Sequence, residues 1–137
     1  MSGTLIDSSV LLDLVTPASP AAAWSKAQLD AADLRGEAIV NVVIWAEVAV
    51  AYRENGAMAL LENESLLQRR AIPWEAAELA GHAHRQYRRR GGEREAILPD
   101  FLIAAHAAIE DLTLLTRDAR RLKIAFPGLR LITPEQV

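Results

Sequence analysis

Residues 97–121, ILPDFLIAAHAAIEDLTLLTRDARR, constrain the fold of this chain more than any other stretch. Asp100 stands at the start of an apolar segment with helical character. Residues 112–115 are apolar and have the composition of a buried strand, and Asp118 follows that strand closely. A helix that leads into a buried strand is typical of proteins with a parallel sheet. We therefore expect an α/β protein with acids at one edge of its sheet.

The rest of the chain continues this alternation of strands and helices. Apolar segments predict strands at 3–6, 37–40, 71–74, 112–115 and 129–132. Helical periodicity and breakers predict helices at 10–15, 22–35, 42–54, 57–70, 75–90, 99–110 and 118–122. Predicted N-caps are Ser8, Ser9 and Asn41, and predicted helix ends are Gly36, Asn55-Gly56 and Gly91-Gly92. The pattern implies a parallel sheet with helices on both faces.

Composition narrows the class of protein. The chain has 137 residues, of which 51% are hydrophobic, and this predicts a single globular domain. It contains no cysteine, which excludes disulfides, thiolate zinc sites and a cysteine nucleophile. No signal peptide and no apolar run of about 20 residues is visible, so we expect a soluble cytoplasmic protein without a membrane segment. The net charge of −3 argues against a general nucleic-acid-binding protein.

Glu47 is the only polar side chain in residues 42–51, VVIWAEVAVA. A helix that is apolar on all sides is normally buried. A buried carboxylate is unfavourable unless it is paired, protonated or bound to a cation. The alternatives are a position at the edge of the helix or a salt bridge to an arginine.

Asp7 lies where a predicted apolar strand meets an apolar helix, in LIDSSVLL. Ligands of open α/β sheets bind at the carboxyl ends of the strands, and Asp7 is at such an end. The alternative is a carboxylate that caps the following helix. The same alternative holds for Asp100 and Asp118, which lie near predicted helix starts. Asp118, however, is also at the carboxyl end of the fourth predicted strand.

Several acids at one sheet edge would repel one another without a cation. Oxygen ligands suit Mg²⁺ or Mn²⁺, which bind carboxylates, water and substrate phosphates. A cation of this kind activates water for attack on a phosphodiester. The four acids together therefore predict a divalent-metal site.

The sequence resembles the PIN domain family and, more narrowly, the VapC-type toxins of toxin–antitoxin pairs. The resemblance covers nearly the whole chain. It rests on IDSSVLLDL from Ile6, AEVAVAYREN around Glu47, PDFLIAAHA from Pro99, and LLTRDARR followed by FPGLRLITP. The order, spacing and surroundings of the four acids match the family together.

The resemblance implies a three-layer α/β/α sandwich with a central parallel sheet of four to five strands, in one PIN domain over residues 1–137. It implies an Mg²⁺-dependent endoribonuclease, with Mn²⁺ as a substitute, that acts as a toxin. The implied catalytic and metal-binding acids are Asp7, Glu47, Asp100 and Asp118, supported by the hydroxyls of Ser8 and Thr116. A homodimer and a protein antitoxin are implied partners, and the apolar helices at 42–67 offer an interface.

Two positions depart from what is usual in this family. Asn41 stands where a serine or threonine is more common. Residues 122–125 stand where aromatic side chains are common. Both departures concern the surroundings of the site rather than its acids.

Two basic clusters are candidates for contact with RNA, because cations neutralise phosphates. The cluster beside a site acid comprises Arg117, Arg120, Arg121 and Lys123. The other surrounds a predicted helix end, where cations also complement the helix dipole, and comprises Arg85, Arg88, Arg89, Arg90 and Arg94. The histidines His82, His84 and His106 are interpreted as structural or exposed.

Two non-catalytic functions compete with the nuclease. One is a PIN-like module that binds proteins without cutting RNA. The other is a phosphoacceptor receiver, which also gathers acids at strand ends but needs a lysine at a late strand end. The only lysines are Lys26 and Lys123, and neither fits that position.

Overall fold

The computed structural model describes residues 3–16, 18–52, 67–91 and 98–134. Its strands are β1 (Thr4–Ile6), β2 (Ala38–Val40), β3 (Leu67–Arg69), β4 (Thr113–Leu115) and β5 (Leu131–Ile132). The helices of these ranges, numbered in chain order, are α1 (Ser8–Val15), α2 (Ala22–Arg35), α3 (Val42–Tyr52), α4 (Trp74–Arg89), α5 (Leu98–Ile109) and α6 (Arg120–Ala125).

The five strands form one parallel sheet in the order β3-β2-β1-β4-β5, with helices packed on both faces. This is the three-layer α/β/α arrangement that the sequence predicts. Strands β1 and β2 are buried along their whole length. The strand order reverses between β1 and β4, and ligands of such sheets bind at the carboxyl ends of the strands beside this point. The fold therefore places Asp7 and Thr116, which directly follow β1 and β4, at the expected ligand-binding edge.

Phe101 follows Asp100 directly in α5 and packs in the core. Its fully buried ring lies 5.1 Å from the ring of His84, 5.7 Å from that of Tyr87 and 5.8 Å from that of Phe126. These contacts join α4, α5 and the residue that follows α6, and aromatic pairs at such distances add to the stabilisation from burial. The neighbouring Asp100 is thereby held on a well-packed helix.

Several sequence predictions are confirmed. Helix α2 has the predicted bounds, and Gly36 is its C-cap. Asn41 caps α3, because its Oδ1 accepts a hydrogen bond of 3.0 Å from the backbone N–H of Ile44. Gly91 ends α4 with a φ of +80°, a conformation that glycine adopts readily. Residues 55, 56 and 92 lie outside the described residues, as does most of the predicted helix at 57–70.

The third strand was predicted wrongly at 71–74. The strand is instead β3, whose residues were assigned to the end of a helix, and it pairs with β2 from Leu67↔Ala38 to Arg69↔Val40. Pro73 has no N–H to give to a sheet and instead takes the N-cap position of α4, so the chain leaves the sheet before this residue. Pairing with β2 therefore decides the structure here rather than local apolar character.

Two helix starts also differ from the predictions. Ser8 and Ser9 were predicted as N-caps, but α1 begins at Ser8 and Asp7 takes the N-cap position. The helix predicted at 118–122 is α6, which begins at Arg120. The N–H of Asp118 donates to Thr116 Oγ1 over 3.3 Å, and this local turn makes the helix begin later in the chain.

None of the described helices is both long and apolar enough to cross a membrane.

Candidate active site

Asp7 is held at the carboxyl edge of the sheet between β1 and β4. Its backbone N–H donates to the carbonyl of Leu115 over 2.9 Å. Although Asp7 takes the N-cap position of α1, its side chain makes no capping hydrogen bond. Its Oδ2 instead accepts hydrogen bonds from Ser9 Oγ at 2.7 Å and Thr116 Oγ1 at 2.8 Å. The capping alternative therefore does not describe this carboxylate, which is oriented by two hydroxyls.

Thr116 and Asp118 form the neighbouring part of the site, directly after β4. The hydroxyl of Thr116 donates to Asp7 and accepts from the backbone N–H of Asp118, so it joins the two acids. Asp118 is exposed and does not cap α6, because Ala119 takes the N-cap position of that helix. Its carboxylate lies beside the sheet edge as the sequence predicts.

Glu47 reaches the site from α3. Its Oε1 accepts a hydrogen bond of 2.9 Å from Ser8 Oγ. Burial raises the pKa of Glu47, the Ser8 hydroxyl opposes this rise, and the charges of Asp7 and Asp100 add to it. A salt bridge from Glu47 to an arginine, one of the alternatives, is absent from the part of the chain that the structure describes.

Asp100 lies in the first turn of α5. Burial raises its pKa, Arg121 lowers it, and the charges of Asp7 and Asp118 raise it. The terminal nitrogen Nη2 of Arg121 lies 3.3 Å from Asp100 Oδ2. Because the charges of Asp7 and Asp100 act on Glu47, and those of Asp7 and Asp118 act on Asp100, the structure brings all four predicted acids into one electrostatic cluster.

A cavity of about 270 Å³ opens at this cluster. It is lined by Asp7, Ser8, Ser9, Leu12, Asp100, Ile103, Thr116, Arg117, Asp118, Arg121 and Leu122. Glu47 is not part of this lining and joins the site through Ser8. Three of the four predicted acids therefore line the cavity directly.

The donors at this cavity are carboxylates and hydroxyls, which are the ligand types that Mg²⁺ and Mn²⁺ prefer. The donor chemistry therefore fits a divalent cation. The side chains are not already arranged as a complete metal-binding site, because the described residues contain no group of three or more His, Cys, Asp or Glu in a geometry that could hold a metal ion.

A second cavity, of about 310 Å³, lies away from this cluster, between the end of α5 and the chain that precedes β5. Asp111 is its only acidic lining residue, and Arg130 pairs with that carboxylate over 3.1 Å. This cavity lacks the converging acids of the first one.

The predicted basic residues divide into separate groups. Arg117 and Arg121 line the acidic cavity, whereas Arg120 is exposed on α6 outside that lining. Arg85, Arg88 and Arg89 of the other cluster surround an open cavity beside His84 on α4. Arg94 lies outside the described residues.

The structure accounts for one of the three histidines, His106. His106 is fully buried, with Nδ1 2.9 Å from Asn41 Nδ2 and Nε2 3.0 Å from Glu110 Oε1. This geometry suits a ring that donates from Nε2 to the carboxylate and accepts at Nδ1 from the amide. His106 is therefore structural, as predicted.

Sequence reasoning missed two residues of the site, Ser9 as a partner of Asp7 and Asp13. Asp13 is buried on α1, and its Oδ2 lies 2.6 Å from Nε of Arg117. A signal for it was present, because Asp13 is the only charged residue in the apolar helix SSVLLDLV. Like Glu47, Asp13 is an isolated acid in an apolar helix and is therefore expected to be buried with a partner.

Comparison with known proteins identifies the family. The family model of the PIN domain matches residues 4–127. No curated protein sequence matches the chain.

Solved structures share the fold at low sequence identity. VapBC2 from Rickettsia felis, bound to a promoter DNA fragment, superposes with a TM-score of 0.76 at 16% identity, covering 95% of this chain and 97% of that one. A toxin–antitoxin complex from Klebsiella pneumoniae gives 0.73 at 23%, with coverage of 98% and 100%. The sarcin–ricin-loop-cleaving toxin VapC20 from Mycobacterium tuberculosis gives 0.66 at 13%, with coverage of 89% and 95%. At these identities the likeness establishes the fold alone.

Proposed function

We propose that this chain, which belongs to the PIN domain family, is a divalent-metal-dependent endoribonuclease and the toxin of a toxin–antitoxin pair. One observation carries the proposal. The four candidate acids lie close enough at the carboxyl edge of the sheet for neighbouring charges to raise the pKa values of Glu47 and Asp100, and Asp7, Asp100 and Asp118 line one cavity. Groups with perturbed pKa values in a cleft are candidates for catalysis.

The four acids are the residues that would hold Mg²⁺, with Mn²⁺ as a substitute. When bound, such a cation supplies an activated water and stabilises the charge that develops on a phosphodiester. The raised pKa values of Glu47 and Asp100 show that burial disfavours the negative charge on both carboxylates. A cation favours the charged form of both.

The neighbouring hydroxyls orient these acids. Ser9 and Thr116 both donate to Asp7 Oδ2, and within the described part of the chain the other oxygen of this carboxylate has no side-chain hydrogen bond. Ser8 fixes one oxygen of Glu47 in the same way. Carboxylates that are fixed by hydrogen bonds lose little conformational freedom when they bind a ligand.

Basic side chains at the cavity are proposed to bind RNA. Arg117 and Arg121 line it beside the acids, and Arg120 follows on the exposed surface of α6. Guanidinium groups bind phosphate oxygens through parallel hydrogen bonds. The RNA backbone would therefore cross the cavity between the acids and the start of α6. An RNA substrate also implies that the protein acts in the cytoplasm.

The proposed partners are a second copy of the chain and a protein antitoxin that covers the acidic site. A solved structure with this fold, from Klebsiella pneumoniae, is a toxin–antitoxin complex. On α3, the apolar side chains of Val42 and Val50 are 70% and 82% exposed. Contiguous exposed apolar patches mark protein interfaces, and we propose that α3 contributes to one.

A second candidate function is a non-catalytic module that binds proteins through the same fold. The described residues contain no complete set of metal ligands already in place, and this favours the alternative. Acids retained at all four positions favour the nuclease, because a binding module has no need for clustered carboxylates.

The test is RNA cleavage by the purified protein in Mg²⁺, compared with the same reaction in EDTA. Cleavage in Mg²⁺ that stops in EDTA supports the nuclease. Asp7→Asn and Asp118→Asn should each lose most of the activity. Asp111→Asn removes the same charge at the second cavity and is the matched control. Equal activity of all three variants, or full activity in EDTA, would rule out the proposed site.

A further inference from the structure

Asp13 is a buried carboxylate that the proposed metal site does not use. Only 4% of its side chain is exposed. Its Oδ1 accepts from Ser19 Oγ at 3.0 Å, and its Oδ2 accepts from Ser25 Oγ at 2.6 Å. Nε of Arg117 lies 2.6 Å from the same Oδ2. Buried charges persist only when they are paired and hydrogen-bonded in this way, so the surroundings of Asp13 are built around its charge.

Arg117 is held at two points. Its side chain is paired with Asp13, and its backbone N–H donates to Ser9 Oγ over 3.2 Å. Ser9 in turn donates to Asp7 Oδ2 over 2.7 Å. The residue between Thr116 and Asp118 is therefore fixed to α1 through both its side chain and its backbone.

The guanidinium of Arg117 retains binding capacity at the cavity. Asp13 engages its Nε, and the two terminal nitrogens carry further N–H groups. The side chain is 42% exposed and lines the cavity with Asp7 and Asp118. A guanidinium that is already oriented loses less conformational freedom when it binds a phosphate.

We propose that Asp13 is a positioning residue, which holds Arg117 in one orientation so that its guanidinium binds an RNA phosphate beside the acidic cavity. The inference rests on the proposed nuclease function. It assigns a role to Asp13 and distinguishes Arg117, whose partner is Asp13, from Arg121, which pairs with the candidate site acid Asp100. The competing explanation is that Arg117 only neutralises Asp13.

The variant Arg117→Lys separates these explanations. Lysine keeps the positive charge and can pair with Asp13, so a purely structural role is preserved. It lacks the planar fork that leaves terminal donors for a phosphate. We expect kcat for RNA cleavage to fall by roughly ten- to a hundredfold, because misplacement of substrate by about 1 Å has effects of that order. The salt dependence of RNA binding in EDTA should stay unchanged, because the charge is retained.

The variant Asp13→Asn provides a second, independent test of the positioning role. Removal of a negative charge beside the RNA strengthens general electrostatic attraction, so RNA binding in EDTA should be unchanged or tighter. A fall in kcat together with unweakened binding is expected from lost positioning and cannot come from the charge change. In Arg117→Lys protein, the further change Asp13→Asn should have little additional effect, because the two residues act as one unit.

Arg130 and Asp111 provide matched controls, since they form an exposed ion pair away from the acidic cavity. Arg130→Lys and Asp111→Asn repeat the same chemical changes there and should leave kcat at the parent value. Melting curves of every variant, recorded in EDTA, define a common temperature at which all are folded. Cleavage is compared at that temperature.

Three outcomes distinguish the proposals. A parent that cleaves RNA, with Arg117→Lys as active as the parent, overturns this inference and leaves the nuclease intact. A fall in kcat that matches only the loss of folded protein also overturns it. A parent that neither binds nor cleaves RNA overturns the proposed function and this inference with it.

Discussion

Ser8 donates a hydrogen bond of 2.9 Å from its Oγ to Oε1 of Glu47, and this bond joins the first residue of α1 to the middle of α3. Two effects act on Glu47 in opposite directions. Burial raises its pKa most strongly, and the Ser8 hydroxyl lowers it by stabilising the carboxylate. Ser8 therefore helps to keep Glu47 in the charged form that a metal ligand requires.

Ser8→Ala should raise the pKa of Glu47 further, because the opposing hydrogen bond is lost. Protonated Glu47 is a poor metal ligand, so the acid limb of the pH profile of kcat/KM should move to higher pH. The measurement is RNA cleavage from acid to neutral pH in fixed Mg²⁺. Ser8→Thr keeps a hydroxyl and is the control that should retain the parent profile. An unchanged acid limb in Ser8→Ala would contradict this role.

Asp100→Asn tests whether Asp100 is a site acid or a helix cap. The folded-state pKa of Asp100 lies above the ordinary value of 3.8, mainly through burial, so the folded protein binds its proton more tightly than the unfolded chain does. This contribution to stability is complete below pH 3.8 and is lost as the pH rises through the folded-state pKa.

In EDTA, Asp100→Asn should therefore melt like the parent below pH 3.8 and at a higher temperature at neutral pH. RNA cleavage in Mg²⁺ should nevertheless fall steeply, because a neutral amide is a poor ligand for a hard cation. Asparagine caps helices about as well as aspartate, so loss of a cap is not expected. A lower melting temperature at neutral pH, with activity that follows the folded fraction, would identify Asp100 as a structural residue.

The convergence of the four candidate acids could be predicted from the sequence because each stands at the end of a strand or within an apolar helix. Glu47 is isolated among apolar residues, and the structure places it half-buried beside Ser8. Asp7 and Asp118 follow β1 and β4 on the sheet edge where ligands bind. Local pattern and sheet geometry together were sufficient for these residues.

The features that were predicted wrongly or missed depend on contacts between residues that are distant in the sequence. Strand β3, Leu67–Arg69, is partly or fully exposed and lacks an apolar pattern, and it is defined by pairing with β2. The partners of Asp13 at Ser19, Ser25 and Arg117 are brought together only by folding. Neither feature has a local signal of the kind that periodicity detects.

Asn41 is predicted to stabilise the protein in two separable ways. Its Oδ1 caps α3 through the N–H of Ile44, and its Nδ2 contacts the buried Nδ1 of His106. Asn41→Ser should keep the cap and lose the His106 contact, which costs about 1–3 kcal/mol when a buried acceptor is left unpaired. Asn41→Ala should lose both, with a further loss of about 0.5–2 kcal/mol.

Urea unfolding of the three proteins in EDTA measures these differences. The free energy of unfolding should decrease in the order parent, Asn41→Ser, Asn41→Ala. Because Asn41 fixes the start of the helix that carries Glu47, the Ala variant should also lose more RNA cleavage than the Ser variant at a temperature where both are folded. Equal stability of the two variants would show that the cap contributes nothing here.

Mg²⁺ itself should stabilise the folded protein, because an ion that binds only the folded chain shifts the equilibrium toward it. At a concentration about 100 times the dissociation constant the expected gain is about 2.7 kcal/mol. Melting curves with and without Mg²⁺ measure this gain without any RNA, and so they test the metal site separately from the nuclease. Mn²⁺ should have the same effect.

The same melting experiment distinguishes the site acids from other carboxylates. Asp7→Asn should lose the Mg²⁺-dependent rise, whereas Asp111→Asn, at the second cavity, should retain it. The rise should also shrink toward acid pH, because protons compete with the cation for Glu47 and Asp100, whose pKa values are raised. A melting temperature that does not respond to either cation at neutral pH would contradict metal binding at this site and favour the non-catalytic binding module.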